Sequence, residues 1–570
     1  MVLLFCCIAT AIPSDPNSKP THDVAITNVS VPSNCIQGET VPITVSLSNQ
    51  GTRRETFCVK LTEDASSKEI ASRKMVLGKG WRDGSGDVAD LVFDPTDPGM
   101  NYFGNQVWME RDVNGDSIDD ILISAPNWND CRGQVYLYFG GGDINPSSPN
   151  LVFSGADPNT HLGGYAGTCS ADINNDGHGD VVIGARGTHG YDGRVYIFYG
   201  GPKMDTQADM TLDGETGQGG NFGLTVTSGD IDNDGYEDIL VGAQMYDRGR
   251  GRVYLFWGGE PMDTTADIIL EGEGYPDGEP IIGYGSQRVE VQGWFGRKIA
   301  ASGDINGDGY KEILVGARHA FDRNYNGSAY LFFGNTKQKM DGLCDCVFRG
   351  EKANEQMGSS VELFDIDNDG FSDVIVGARY ARGGRGCVYV YWGKNGFSGQ
   401  TPDLILQGDP LSNMGGDDIA CGHFNHDRYA DLLIGAYNYP DATTRRGRAY
   451  VFYGSDRLRT DTWRDYVFEG EHGPCYQYFG VQLSTGDINN DGYADALIGG
   501  PGHSDIQGRA YLYYGPFESS AEITFYWDTT NVSPGKNTLK AAMAPVGGEE
   551  DVADNTMTKT IEVKDHSKVQ

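Results

Sequence analysis

The amino-acid sequence predicts an all-β fold, a seven-bladed β-propeller inserted into an immunoglobulin-like β-sandwich, and three observations predict it. The first is a nine-residue pattern, Asp-x-Asx-x-Asp-Gly-x-x-Asp, that returns seven times, starting at Asp112, Asp172, Asp230, Asp304, Asp365, His423 and Asp487. The second is the even spacing of those starts, 60, 58, 74, 61, 58 and 64 residues. A period of this kind is the mark of repeated supersecondary units. The third is that four short strand-like runs surround each copy, the make-up of a propeller blade.

Within a period the elements come in a fixed order. Phe-Gly and a first strand precede the loop, as at Phe103-Gly104, Phe222-Gly223, Phe295-Gly296 and Phe479-Gly480. A run ending in Gly-Ala follows it, as in Asp238–Ala243, and recurs at Gly184-Ala185, Gly316-Ala317, Gly377-Ala378 and Gly435-Ala436. These runs are short, apolar and rich in β-branched residues, so they read as buried strands. An aromatic third strand such as Val195–Gly200 or Val253–Gly258 comes next, then a short fourth such as Leu151–Gly155 or Ile268–Gly272. The seventh repeat stops after its third strand at Gly515, and Leu91–Phe93 ahead of the first Phe-Gly is the piece it lacks. Pairing the two closes the ring and removes its open edge.

The loops have the chemistry of calcium sites. Calcium takes six to eight hard oxygen ligands. Positions 1, 3 and 5 offer side chains, position 7 a carbonyl and position 9 a closing carboxylate, while Gly at position 6 takes φ > 0 at low cost. The first loop supplies Asp112, Asn114, Asp116 and Asp120, and the second Asp172, Asn174, Asp176 and Asp180. The third supplies Asp230, Asp232, Asp234 and Asp238, and the fourth Asp304, Asn306, Asp308 and Glu312. The fifth supplies Asp365, Asp367, Asp369 and Asp373, and the seventh Asp487, Asn489, Asp491 and Asp495. The sixth keeps Asn425, Asp427 and Asp431, but His423 opens it and Arg428 stands at position 6. It loses a carboxylate and gains a cation, so about six calcium ions are expected, with the sixth loop weak or empty. The first loop has Ser117 where Gly is expected and is serviceable. An EF-hand is excluded, because it needs Glu at position 12 between helices, and position 12 of the third loop is Val241 inside a strand.

Taken together, the Phe-Gly, Asp-loop and Gly-Ala elements resemble the FG-GAP repeat family, whose best-known members are the propeller heads of integrin α subunits. The resemblance spans about residues 88–516. It implies that the Asp loops bind Ca²⁺ and that the face opposite them takes part in ligand and partner contact. Integrin heads keep the loop in some blades, whereas nearly all repeats have it here, a pattern that looks more like the bacterial and archaeal relatives.

The flanks read as two parts of one domain. Residues 23–80 hold four strand-like runs, Asp23–Val31, Thr40–Asn49, Glu55–Thr62 and Glu69–Leu77, and residues 519–566 hold three, Ala521–Trp527, Thr538–Ala544 and Thr558–Lys564. Neither part has the surface to make a stable core alone, and together they reach the seven strands of an immunoglobulin-like sandwich. With Leu47-Ser-Asn-Gln-Gly51 in front and Asp554-Asn555-Thr556 behind, they resemble the CARDB family of bacterial adhesion-type domains. Two separate flanking modules are the other arrangement. If the propeller is inserted, both junctions fall on the calcium face and leave the opposite face free.

Composition narrows the setting. The formal net charge is −36, with 80 acidic and 44 basic residues. Calcium would offset part of it, and the acidic remainder argues against nucleic acid, which is met by a basic footprint. Loops of this type suit the millimolar calcium outside cells, so a secreted or cell-surface protein is expected. Residues 1–22 read as a signal-like apolar run, Met1–Ile12, and a Pro- and Ser-rich tether. No later segment has the roughly 20 apolar residues of a membrane span. Eleven cysteines cannot all pair internally. Cys35 and Cys58 sit where a disulfide can form, and Cys169 and Cys421 read as small buried hydrophobes.

The segments after each Gly-Ala are rich in aromatics and Arg, the side chains that carry recognition energy. The candidate ligand-binding residues are Trp128, Tyr191, Tyr246, Arg248, Tyr325, Tyr380, Arg382 and Tyr437, with Trp294 from the long connection Gly272–Trp294, which also holds Tyr275 and Tyr284. Three functions compete: an adhesion protein binding a glycan or protein on the free face, a calcium-rigidified structural spacer in a surface assembly, and a polysaccharide-active enzyme. The enzyme is disfavoured, because neither Gly-x-Ser-x-Gly nor His-Glu-x-x-His occurs and the carboxylates are committed to metal.

Overall fold

The computed structural model describes residues 24–49, 55–63, 68–77, 89–96, 99, 101–142, 144–272, 293–320, 325–399, 401–440, 445–456, 464–471, 476–517, 520–543 and 555–564. The signal-like segment, Tyr275 and Tyr284 lie outside them. The chain divides into two compact units, one of residues 1–85, 424–426 and 515–570, the other of residues 86–423 and 427–514.

In the larger unit seven four-stranded antiparallel sheets follow one another along the chain. The third is typical: Thr225–Gly229, Asp238–Ala243, Arg252–Phe256 and Ile268–Glu271 pair in that order. The second strand begins on the closing carboxylate of the Asp loop and is wholly buried, which is why its sequence is an unbroken apolar run rather than an alternating one. First strands of successive sheets lie side by side. Val107–Met109 packs on Thr168–Ala171, that strand on Thr225–Gly229, and so on round to Leu483–Gly486, which packs back on Val107–Met109. The last sheet takes Leu91–Phe93 as its fourth strand, with Val92 opposite Tyr511. The result is a closed ring of sheets, consistent with a β-propeller.

The two repeated dipeptides explain each other. The Phe of each Phe-Gly is buried and lies edge-on to a Tyr of its own third strand, as Phe222 does on Tyr254 at 5.3 Å and Phe295 on Tyr330 at 5.5 Å. The Gly of each Gly-Ala faces the backbone at the start of the next sheet, a Phe-Gly for Gly184, Gly242 and Gly435 and a Met-Gly for Gly316 and Gly377. A Cβ on Gly184 would sit 1.9 Å from the Gly223 carbonyl oxygen, and one on Gly242 2.2 Å from that of Gly296. Glycine is needed at these sites because backbone meets backbone there, and that contact joins one sheet to the next.

The smaller unit contains two sheets, and each draws strands from both ends of the chain. Val24–Ser30, Thr40–Asn49 and Ser520–Asp528 form one. Asn34–Ile36, Thr556–Lys564, Gly535–Met543, Glu55–Glu63 and Lys68–Leu77 form the other. Ile43, Val45 and Leu47 share one buried core with Trp527, Leu539 and Ile561, as the alternating burial along Thr40–Asn49 requires. Among the described residues eight strands stand where seven were expected. The extra one, Asn34–Ile36, pairs in parallel with Glu562–Lys564 and at three residues is too short to show a period. Cys35 forms no disulfide with any described cysteine, and the side chain of Cys58 lies outside the description. Cys169 and Cys421, in the larger unit, are buried.

Candidate metal loops and the opposite end of the ring

The Asp loops fold on their own carboxylates. In the second loop Asp172 accepts the backbone N–H of Asp176 and of Gly177, both at 3.0 Å, and Asp176 accepts that of His178 at 3.0 Å. The same bonds recur in the third and fifth loops. Position 6 is left-handed throughout these loops, with φ of +88° at Gly177, +93° at Gly235 and +91° at Gly370. Ser117 takes φ +69° without being glycine, at a cost of roughly 1 kcal/mol. In the sixth loop neither His426 nor Arg428 adopts a positive φ, and His423 Nδ1 instead lies 2.9 Å from the Tyr429 carbonyl.

Position 9 does a second job that the sequence does not announce. One oxygen of Asp238 accepts the N–H of Ile231 and the other that of Gly258, both at 2.8 Å, tying the loop to the end of the third strand. Asp373 does the same with Ile366 and Gly393, and both side chains are fully buried. Burial pushes these carboxyls up to about 8, with nearby aspartates adding to the shift, and Glu312 likewise to about 8.

The donor set fits a hard divalent cation. Ligand oxygens lie within 4.8 Å of one another in three groups: Asp230, Asp232 and Asp234; Asp304, Asp308 and Glu312; Asp365, Asp367 and Asp373. Asp232 keeps a buried carboxylate oxygen with no hydrogen-bond partner, the kind of orphan a cation would satisfy. At this third loop a protein cation is already close. Lys337 Nζ stands 2.7 Å from Asp234 Oδ2 and 3.7 Å from Asp232 Oδ2.

At the other end of the strands, the connections after Gly-Ala are tighter than the sequence suggests. Five described ones are single four-residue turns, such as Tyr246–Gly249 and Ala381–Gly384, most with left-handed residues inside, Asp247 and Arg382 among them. Tyr246 is held by the Arg252 guanidinium, 3.8 Å above its ring, and Arg382 bonds Gln407. Tyr191 is 41% exposed, Arg248 is exposed, and Trp128 packs on the apolar core shared by the first and last sheets.

The other four candidates converge. Trp294 stacks on His319 at 4.1 Å and lies under Arg318 at 4.9 Å, while Tyr325 meets His319 edge-on at 5.0 Å. Tyr380 lies under Arg379, which also donates to the Tyr437 hydroxyl at 3.3 Å. Arg318, Arg379 and Arg297 all point at one oxygen, Asp417 Oδ1, at 3.2, 3.6 and 3.6 Å. Burial first, and these guanidiniums second, hold the His319 imidazole down to about 3.

Residues 164–198, 222–256, 295–332, 357–391 and 479–513 match the family model described as the FG-GAP repeat. The chain carries FG-GAP repeats. It is 26% identical over 473 residues to human phosphatidylinositol-glycan-specific phospholipase D, covering 71% of this chain and 53% of that protein. It is 29% identical over 248 residues to Xenopus laevis integrin alpha-5, covering 40% of this chain and 21% of the integrin. Over 205 residues it is 32% identical to Xenopus laevis integrin alpha-4, covering 35% and 18%. The alignments thus span between about a fifth and about half of these relatives' own length.

Each matched FG-GAP stretch contains an Asp loop and the buried strand after it, which ends in Gly-Ala in four of the five and in Gly499-Gly500 in the last, so the match falls on the elements described above. Sequence reading missed the arginines at the far end of the strands. Their signal was present: Arg186, Arg318 and Arg379 each follow a Gly-Ala, and Arg297 follows a Phe-Gly. They lie at the strand ends.

Proposed function

We propose that this chain is an extracellular calcium-binding recognition protein. In this reading a seven-bladed propeller is inserted between the fourth and fifth main strands of an immunoglobulin-like domain and binds a protein or glycan at the end opposite its calcium loops. The observation that carries it is the pairing of converging carboxylates at one end of the FG-GAP strands with converging aromatics and arginines at the other. Calcium would be held by the position 1, 3, 5 and 9 side chains and would supply fixed positive charge that cross-links each loop. The sheets shared by the two ends of the chain support the insertion, and the integrin relatives support the adhesion role. The test is a binding screen of the whole chain against matrix proteins and glycans, with calcium and with EGTA. A calcium-dependent ligand lost when Tyr437 and Trp294 become Ala supports the reading. A stable calcium-loaded chain that binds nothing would favour the structural spacer.

A second reading has one observation behind it: the alignment to a phospholipase D spans most of this chain. Hydrolysis of a phosphatidylinositol-glycan substrate by the purified chain, above a heat-killed control, would replace recognition with catalysis.

A further inference from the structure

We propose that the centre of the ring, at the end away from the Asp loops, is an oxyanion site that accepts one carboxylate or sulfate group, and that it is the anchor of the recognition surface just proposed. The proposal rests on that reading for its biological meaning but not for its chemistry.

This is a strongly acidic protein, at −36, yet Arg297, Arg318, Arg379 and Lys298 gather around two carboxylates, Asp417 and Asp418. Asp418 is already committed, accepting from Lys298 Nζ at 2.8 Å and from the Leu483 N–H at 2.9 Å. That leaves three guanidiniums sharing a single oxygen of Asp417, and these side chains are only 8–12% exposed. Arg186 adds a further cation, across the Tyr165 ring from Arg297, at 5.4 and 5.0 Å from its centroid. Buried charges are stable when paired one to one, and here cations outnumber carboxylates.

The donors are unsatisfied as well as crowded. The Nε–H groups of Arg318, Arg297 and Arg186 are buried with no hydrogen-bond partner. Arg318 is 7% exposed, so its orphan donor is well out of bulk water. A planar guanidinium presents five donors in a fork matched to oxyanions, and charge-assisted bonds of this type are the strong ones. The local field agrees. Burial and then its two guanidinium neighbours lower the pKa of Arg318, while half-buried His161 is held down to about 4, by its partial burial first and Arg186 second.

There is room beside them. A cavity of about 50 Å³ is lined by Tyr165, Arg297, Lys298, Asp417 and Gln482, among others. One water needs roughly 10–15 Å³ on the same measure, so the cavity holds an oxyanion head but not a sugar ring or a peptide chain. Tyr165, at its edge, is 42% exposed, so the group can enter from solvent on a larger ligand. A concave basic site with low-dielectric walls focuses its field outward and draws anions to it.

Calorimetric titration of the calcium-loaded whole chain with sodium sulfate and, in a second arm, sodium acetate tests this, with sodium chloride at matched ionic strength as the reference. The expected result is saturable one-to-one binding of at least one of the two, the arms telling a tetrahedral dianion from a planar carboxylate. Two variants carry opposite predictions. Arg297→Gln removes a donor and should weaken binding about tenfold or more. Asp417→Asn removes the resident competitor for the same guanidiniums and should strengthen it, whereas simple damage to the ring would weaken binding in both. Absence of saturable binding in both arms, or binding unchanged in both variants, overturns the proposal. A macromolecular ligand that is found but is indifferent to Arg297→Gln overturns it too while leaving the recognition role standing.

Discussion

The two ends of the FG-GAP strands solve opposite electrostatic problems. At the loop end carboxylates crowd within 4.8 Å of one another, and in the proposed reading a calcium ion supplies the compensating charge. At the far end guanidiniums crowd around one aspartate, and the compensating anion is built in, though too few in number. On that reading the first arrangement makes folding depend on a small ion. The second is fixed in the sequence and leaves donors over for a ligand.

Removing calcium should break the comparison most visibly. At millimolar Ca²⁺ and a dissociation constant of ~0.1 mM, each site adds roughly 1–2 kcal/mol. Several sites together should therefore lower the melting temperature by about 10 °C in EGTA, read by calorimetry. An unchanged melt would refute the calcium assignment.

Within a loop, position 9 and position 3 should separate. Asp373→Ala strands two buried N–H groups, those of Ile366 and Gly393, and should cost about 2–4 kcal/mol with or without calcium. Asp232→Asn keeps the shape and removes a ligand charge, so its cost should show in calcium and vanish in EGTA. Denaturant titrations in both buffers tell the two apart.

At the far end the test is pH. The folded-state pKa of His319 lies below its unfolded value, at about 3 against about 6.5. The folded chain therefore binds fewer protons there. Its contribution to stability is complete above pH 6.5 and is lost as pH falls from 6.5 toward 3. His319→Gln should flatten that part of the stability profile relative to the parent chain.

Smaller effects sharpen the picture. Lys337 competes with a metal for the third loop, so Lys337→Gln should raise calcium affinity there several-fold by titration, a difference of about 1 kcal/mol. Arg509 grips Asp94 through two bonds, of 2.7 and 3.0 Å, beside the strand pair that closes the ring. The pair is partly exposed, so Arg509→Ala should cost no more than about 1 kcal/mol.

Much of this was legible beforehand because the repeat states it several times over. The Asp loop, Phe-Gly and Gly-Ala each mark a place where backbone geometry or ligand chemistry admits few residues, so most of the copies keep them. The expected strands, the closing role of Leu91–Phe93 and the grouping of loop carboxylates could be read from spacing alone. Asn34–Ile36 could not, since three residues have no period. Neither could the turns after Gly-Ala, whose left-handed residues are Asp, Arg and His as well as Gly.

By itself, then, the sequence determined what repeats: the strands, the loop ligands and the order in which they come. Tertiary structure decided what converges. Arg297, Arg318, Arg379 and Asp417 belong to three sheets and are as much as 120 residues apart along the chain, and they meet because a closed ring brings the ends of all its first strands to one centre. No spacing rule carries that information, since it comes from closure of the ring and not from any one repeat.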